Sequence, residues 1–337
     1  MNTSLMPNFL IIGAAKAGTT ALYHYLDQHP DIYMSPKKEL NFFAFDGEHP
    51  DHGGVSDYRG FKRYEKLRKI SVTKLDEYQY RFRGAITHKA VGEASPMYLY
   101  NPRTPQRIYD YKSDMRLIAI LRNPADRAHS HFAQYVFKEE EPITDFAQAI
   151  KAEDIDVPHI WWGYRHYVRL GFYYRQLQPY FNLFPPHLIK VFLFEDFQTN
   201  PQGLLRDIFE FLGVDSSFVA DTASKHNQSL VAKNQTIHRS LGSLETFLRS
   251  GNPVNKMLRA VLPSKLKRLG SQWRVEQAHK NLVKGKPYLS TAVRQQLISI
   301  YQDDILKLQE LIGQDLSSWL KDQNVVESPK SVVAASV

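Results

Sequence analysis

Residues Asn8–Gln28 read NFLIIGAAKAGTTALYHYLDQ. A short apolar run, Phe9 to Ile12, breaks at Gly13, passes through small residues and resumes as an amphipathic pattern from Thr19, which predicts strand, tight loop and helix. Gly13 and Gly18 let the backbone take dihedrals closed to other residues and come near a ligand. The helix start, with unpaired N–H groups and a partial positive charge, would face whatever anion fills the loop. The stretch Gly13, Ala15, Lys16, Ala17, Gly18, Thr19 and Thr20 therefore reads as a phosphate cradle, in which Lys16 adds a full charge and the two threonines add hydroxyls.

The glycine spacing fits the triphosphatase loop G-x-x-x-x-G-K-[ST], but Thr19 stands where that loop has its lysine, and the lysine sits inside at Lys16. A triphosphatase needs the missing lysine on the β/γ-phosphates and the following hydroxyl on magnesium. The pattern K-x-G-T-T-x-L after a buried strand instead resembles the 5′-phosphosulfate loop of sulfotransferases that use 3′-phosphoadenosine 5′-phosphosulfate (PAPS). An ordinary βα turn of small residues would carry the same glycines, so other elements have to decide.

A second strand is expected at Met115–Leu121, ending at Arg122, with Asn123 and Pro124 opening a helix as N-cap and first helical residue. The run LRNPADRAHSHFAQY resembles that family's 3′-phosphate element, which implies Arg122 and Ser130 as its ligands. A dianionic phosphate suits a forked guanidinium with a hydroxyl donor. Val91–Pro96 resembles the family's G-E-x-[ST]-P element, implying Glu93 as the base that takes the acceptor's proton. Lys38-Glu39 followed by Phe42-Phe43 resembles its K-E-x-x-F-F element on the acceptor side of the cleft; spacing alone gives only a turn before a buried aromatic pair. Lys225-His226-Asn227 resembles a loop returning to the active site, with His226 a second acid/base candidate. Lys284-Gly285-Lys286 resembles the loop that closes over the adenine and 3′-phosphate. Glu195-Asp196, after an apolar run at Leu188–Phe194, could end a magnesium-binding strand, yet the residues through Gly213 match the family's E-D-[FL]-x-x-x-P…FLG pattern, in which the acids are structural. Asp315–Leu320 resembles its C-terminal signature.

The 337 residues are 43% hydrophobic and 12% aromatic, ample for a packed core, and contain no cysteine. That excludes disulfides and thiol chemistry and argues against a chain matured in an oxidising lumen. No apolar window approaches the ~20 residues of a membrane span, and the first strand starts too early to leave room for a signal peptide; a soluble, cytoplasmic protein is expected. The net charge of +8 is matched by one segment, Lys256 to Pro287, with nine Lys/Arg against Glu276. That segment reads either as a solvated basic face or as an electrostatic funnel for an anionic ligand. With only Trp273 among its charges, it does not read as a nucleic-acid surface.

The predicted architecture is α/β, a three-layer α/β/α fold around a central parallel sheet, as one domain over 1–320 and a disordered tail over 321–337. Ligands sit at the carboxyl ends of such strands. The resemblance implies in-line transfer of a sulfuryl group from PAPS to an acceptor hydroxyl or amine, leaving adenosine 3′,5′-bisphosphate and needing no metal. Lys16 would stabilise charge on the bridging phosphate oxygen. Its rivals are a P-loop kinase, which would need magnesium and a Walker lysine, and a non-catalytic polyanion-binding protein, which would have no use for Lys16 and Glu93. Glycan, lipid, small metabolite and carrier-bound acyl chain all remain open as acceptors.

Overall fold

The apolar runs expected at Phe9–Ile12, Met115–Leu121 and Leu188–Phe194 lie in one sheet with two further strands. Phe9–Gly13 (β1), Ile32–Met34 (β2), Ala90–Ala94 (β3), Arg116–Leu121 (β4) and Ile189–Leu193 (β5) form a parallel sheet in the order β2-β3-β1-β4-β5. The computed structural model describes residues 6–48, 58–138, 140–141, 143–153, 165–223, 230–232, 282–284 and 289–321. In chain order the helices among them are α1 Thr19–Leu26, α2 Phe42–Phe45, α3 Tyr58–Ile70, α4 Leu75–Tyr80, α5 Met97–Tyr100, α6 Thr104–Tyr111, α7 Pro124–Phe137, α8 Phe146–Lys151, α9 Tyr173–Leu183, α10 Phe194–Thr199, α11 Pro201–Leu212 and α12 Thr291–Ile312. Layers of helix cover the sheet, giving the expected three-layer α/β/α arrangement. Two short strands, Leu230–Ala232 (β6) and Leu282–Lys284 (β7), pair antiparallel apart from the main sheet.

Central parallel strands are covered on both faces and therefore read as continuous apolar runs. Every residue of β1 and β3 is buried, as are Leu117 to Leu121 of β4. β1 lies between β3 and β4, with Phe9 opposite Gly92 on one side and Arg116 on the other. Gly92 is required there: a Cβ on it would come within 2.4 Å of the Phe9 ring. From β1 the chain builds first toward β2 and β3 and then crosses to β4. The carboxyl ends of β3, β1 and β4 thus surround the crevice where this architecture binds ligands.

The charged stretch between β2 and β3 forms two helices, α3 and α4, rather than one. Between α3 and α4, Val72 turns inward to 2% exposure and donates its N–H to the Leu40 carbonyl at 2.8 Å. A buried apolar residue and one cross-chain hydrogen bond outweigh continuation of the helix.

Candidate active site

Three backbone hydrogen bonds knit the strand ends together. Ala14 N donates to Ile120 O (2.7 Å), Ser95 N to Ile11 O (3.1 Å) and Glu39 N to Ala94 O (2.9 Å). The loop after β1, the turn after β3 and the Lys38-Glu39 segment are therefore held along one edge of the sheet.

The β1–α1 loop is strained where a cradle would be. Gly18 has φ +97° and Lys16, a non-glycine residue, has φ +73°, a region that costs L-residues of order 1 kcal/mol. Gly18 is the N-cap of α1, no side chain caps the helix, and its first turn holds no acid. The first N–H groups of an α-helix have no intrahelical partner, and here no side chain caps them either.

Lys16 follows them into a crowd of like charges. Burial, with help from Lys138, Arg122 and Arg127, pushes its pKa from the ordinary 10.5 down to about 8, and Glu39 pulls the other way. Arg122 closes β4: its Nη1 donates to Lys16 O (3.4 Å), its guanidinium lies 4.9 Å from the Phe194 ring centroid, and its carbonyl accepts from the Tyr173 hydroxyl (2.9 Å). Ser130 is two turns into α7, half-buried, and its hydroxyl makes no side-chain hydrogen bond to a described residue. Arg127, wholly buried on the same helix, gives Nη2 to the Tyr167 carbonyl, while its Nε and Nη1 find no hydrogen-bond partner among the described residues. The result is a set of cations with too few carboxylates, a site built for an anion.

Glu93 is placed differently from its expected role. It has 0% exposure; Ser95 Oγ donates to one carboxylate oxygen (2.7 Å), and the Tyr98 and Tyr78 hydroxyls donate to the other. Burial raises its pKa to about 7 against the pull of those donors and of Lys38. The acid that faces the cations is Glu39, whose side chain is 44% exposed and whose backbone has φ +64°. Lys38 Nζ lies 3.0 Å from its carboxylate. Burial alone would raise Glu39, but Lys38, with Arg63 and Lys138, outweighs it and holds the carboxyl below its ordinary value.

Of the expected site residues, Gly13, Ala15, Lys16, Ala17, Gly18, Thr19 and Thr20 share the loop, and Arg122 touches it directly. His226, Gly285 and Lys286 lie outside the described residues. Lys284 is described in its backbone only, paired with Leu230 at the end of β7. Tyr167 and Tyr173 are fully buried, whereas Trp161, Trp162 and Tyr164 lie outside the described residues. Glu195 is structural as expected, accepting the Asn123 N–H at 3.1 Å. Glu39 and Arg127 were not singled out for chemistry. The flanking Lys37 and Lys38 were the available hint for Glu39, and for Arg127 it was a charge on the apolar face of an amphipathic helix.

A parallel α/β sheet with a cationic cradle at its switch point defines an enzyme class that handles phosphate esters or their sulfated relatives. The family model described as "Sulfotransferase family" matches residues 7–218. The chain belongs to the sulfotransferase family, whose chemistry is sulfuryl transfer and whose donor is PAPS. It is 31% identical over 157 residues to the membrane-associated sulfotransferase kil1 of Dictyostelium discoideum, covering 45% of this chain and 29% of that one. It is 25% identical over 331 residues to the human bifunctional heparan sulfate N-deacetylase/N-sulfotransferase 3, covering 94% of this chain and 31% of that protein. The chain thus spans about a third of the length of these curated relatives. A sulfotransferase from Alicyclobacillus acidocaldarius shares its fold, with a TM-score of 0.66 at 29% identity over 94% of this chain and 99% of that one. Among the described residues no helix is long and apolar enough to cross a membrane.

Proposed function

We propose that the chain moves a sulfuryl group from PAPS to an acceptor hydroxyl or amine, with Glu39 rather than Glu93 receiving the acceptor's proton. The observation that carries the reading is the cation cluster around Lys16, half-buried at the ends of β1 and β4 beside an uncapped helix. Those residues fit the donor: the N–H groups of α1 with Thr19 and Thr20 suit the 5′-phosphate, and Arg122 with the unpartnered hydroxyl of Ser130 suits the 3′-phosphate.

The acceptor oxygen or nitrogen bonds to sulfur as the bond from sulfur to the bridging phosphate oxygen breaks, and adenosine 3′,5′-bisphosphate leaves. Lys16 meets the charge that grows on that oxygen; stabilisation of developing charge by a pre-placed cation is worth more in a partly dry site than in water. The proton released at the acceptor passes to Glu39, which is ionised at neutral pH, accessible, and close enough for its charge to act on Lys16. Glu93 has both oxygens engaged beneath the site and fixes Ser95, whose Oγ in turn accepts the Asn41 N–H (3.0 Å) at the start of α2. It is a positioning residue.

The test is release of adenosine 3′,5′-bisphosphate from PAPS with a glucosamine-containing polysaccharide and, separately, with simple alcohols and amines. The polysaccharide comes first because the relatives named above include a heparan sulfate enzyme. Glu39→Gln is expected to lose about 10²–10⁴-fold in turnover with an unchanged melting temperature. Glu93→Gln is expected to melt lower while its folded fraction turns over within a few-fold of wild type. The opposite pattern would return the proton to Glu93, and no release with any acceptor would contradict the transferase reading itself.

A further inference from the structure

Arg294, on α12 and 168 residues from its partner, reaches the first turn of α7 and places Nη2 2.5 Å from Asp126 Oδ1. Its side chain is buried, at 6% residue exposure, yet Nε and Nη1 meet no acceptor among the described residues. Buried donors left unpaired are uncommon in folded proteins and ask for an explanation. A guanidinium offers five N–H donors in a rigid fork, and one carboxylate oxygen uses few of them.

The neighbourhood says which acceptor is missing. Asp126 and Ser130 stand one helical turn apart on α7, spacing that puts two side chains on the same face. Asp126 is also the anion that acts most strongly on Arg122, so its charge is felt by both arginines. Arg294 and Arg122 both act on His129, the residue beside Ser130, whose imidazole burial above all keeps neutral, at a pKa of about 4.

We propose that Arg294 is a further ligand of the 3′-phosphate, held ready by Asp126, which takes Nη2 and leaves donors elsewhere on the guanidinium for a phosphate oxygen. This rests on the reading of Arg122 and Ser130 as the 3′-phosphate site. It adds a residue from the far end of the chain to a pocket otherwise made by β4 and α7, so that α12 would take part in telling a 3′-phosphorylated nucleotide from one without.

Calorimetric titration of the full chain with adenosine 3′,5′-bisphosphate and with adenosine 5′-monophosphate separates the possibilities. Arg294→Gln is expected to weaken the bisphosphate by about 10- to 100-fold and the monophosphate by less than about 2-fold, the range for lost charge-assisted hydrogen bonds. Arg294→Lys can keep the ion pair to Asp126 but not the fork, and serves if the Gln variant folds poorly; it is expected to lose bisphosphate affinity selectively as well. Parallel weakening of both nucleotides, or full discrimination retained by the Lys variant, would make Arg294 a structural clamp. If wild type itself does not prefer the bisphosphate, the 3′-phosphate reading of Arg122 and Ser130 has failed, a result distinguishable from failure of Arg294 alone.

Discussion

The β1–α1 and β4–α7 units are the same piece of architecture, a buried strand running through a short turn into a helix, and they finish their helices in opposite ways. α1 starts at Gly18 with no capping side chain and no acid in its first turn. α7 starts at Asn123, whose Oδ1 accepts from Ala125 N (3.0 Å) and Asp126 N (3.3 Å), and carries Asp126 in that turn. A helix N-terminus is stabilised by a cap and by nearby negative charge. α7 supplies its own, so on the proposed reading anion binding there would fall to side chains, Arg122 and Ser130. α1 supplies neither, so its backbone N–H groups and dipole remain for a ligand. On the proposed reading one unit would bind with backbone and the other with side chains, and a donor with a phosphate at each end of its ribose could use both.

Removing the charge that completes the α1 cradle is the harshest way to break the contrast. Lys16→Ala is expected to lower turnover by about 10²–10³-fold, with a smaller loss of bisphosphate affinity by calorimetry, because its main charge partner appears in the transition state. Equal losses would demote Lys16 to a ground-state ligand. Its pKa of about 8 also fixes a pH limb. The charged form does the binding, so kcat/KM should fall as pH rises through about 8, and the fall should vanish in the Ala variant. The stability of the ligand-free protein runs the other way. Lys16 has a folded pKa below its unfolded one, so deprotonation favours the fold, and this group adds stability between about pH 8 and 10.5.

Making α1 resemble α7 is a milder change. Thr20→Glu puts an acid in the first turn, which should satisfy the helix start by ~0.3–1 kcal/mol and raise the ligand-free melting point slightly. The same carboxylate occupies the cradle, and bisphosphate affinity should fall by at least about 10-fold, or ~1.4 kcal/mol. A variant that gains stability and keeps its affinity would remove α1 from the donor site. The converse substitution, Asn123→Ala, should cost about 1 kcal/mol of stability, read as a drop of ~2–4 °C in melting temperature, with nucleotide affinity changed little.

The two strand–loop–helix units of the proposed donor site were legible in the sequence because their signals are local. Glycine spacing, Lys16, and an arginine followed by Asn-Pro each sit within about twenty residues and fold by rules that need no distant partner. The C-terminal signature was legible for the same reason, although what it does was not: Trp319 is buried and its carbonyl accepts from Asn123 Nδ2 at 3.4 Å, tying the chain's end to the cap of α7. The acceptor half depends on contacts across the chain. Glu93 lies in the right motif, but its burial is decided by Tyr78 and Tyr98 arriving from α4 and α5. Glu39 owes its exposure to a left-handed backbone and to the pairing of its N–H with Ala94, and neither shows in residue spacing. Arg294 meets Asp126 from 168 residues away, beyond any pattern a linear reading can weigh.

On the proposed reading the two units together recognise a nucleotide phosphorylated at both 3′ and 5′ positions, without a triphosphate and its magnesium. Thermal unfolding with each nucleotide at one common concentration, about 100 times the Kd of adenosine 3′,5′-bisphosphate, tests it most directly. Adenosine 3′,5′-bisphosphate should raise the melting temperature by roughly 5 °C or more, equally with and without EDTA, and ATP with magnesium should do much less. A larger shift from magnesium-ATP, abolished by EDTA, would contradict the account and give the site to phosphoryl transfer.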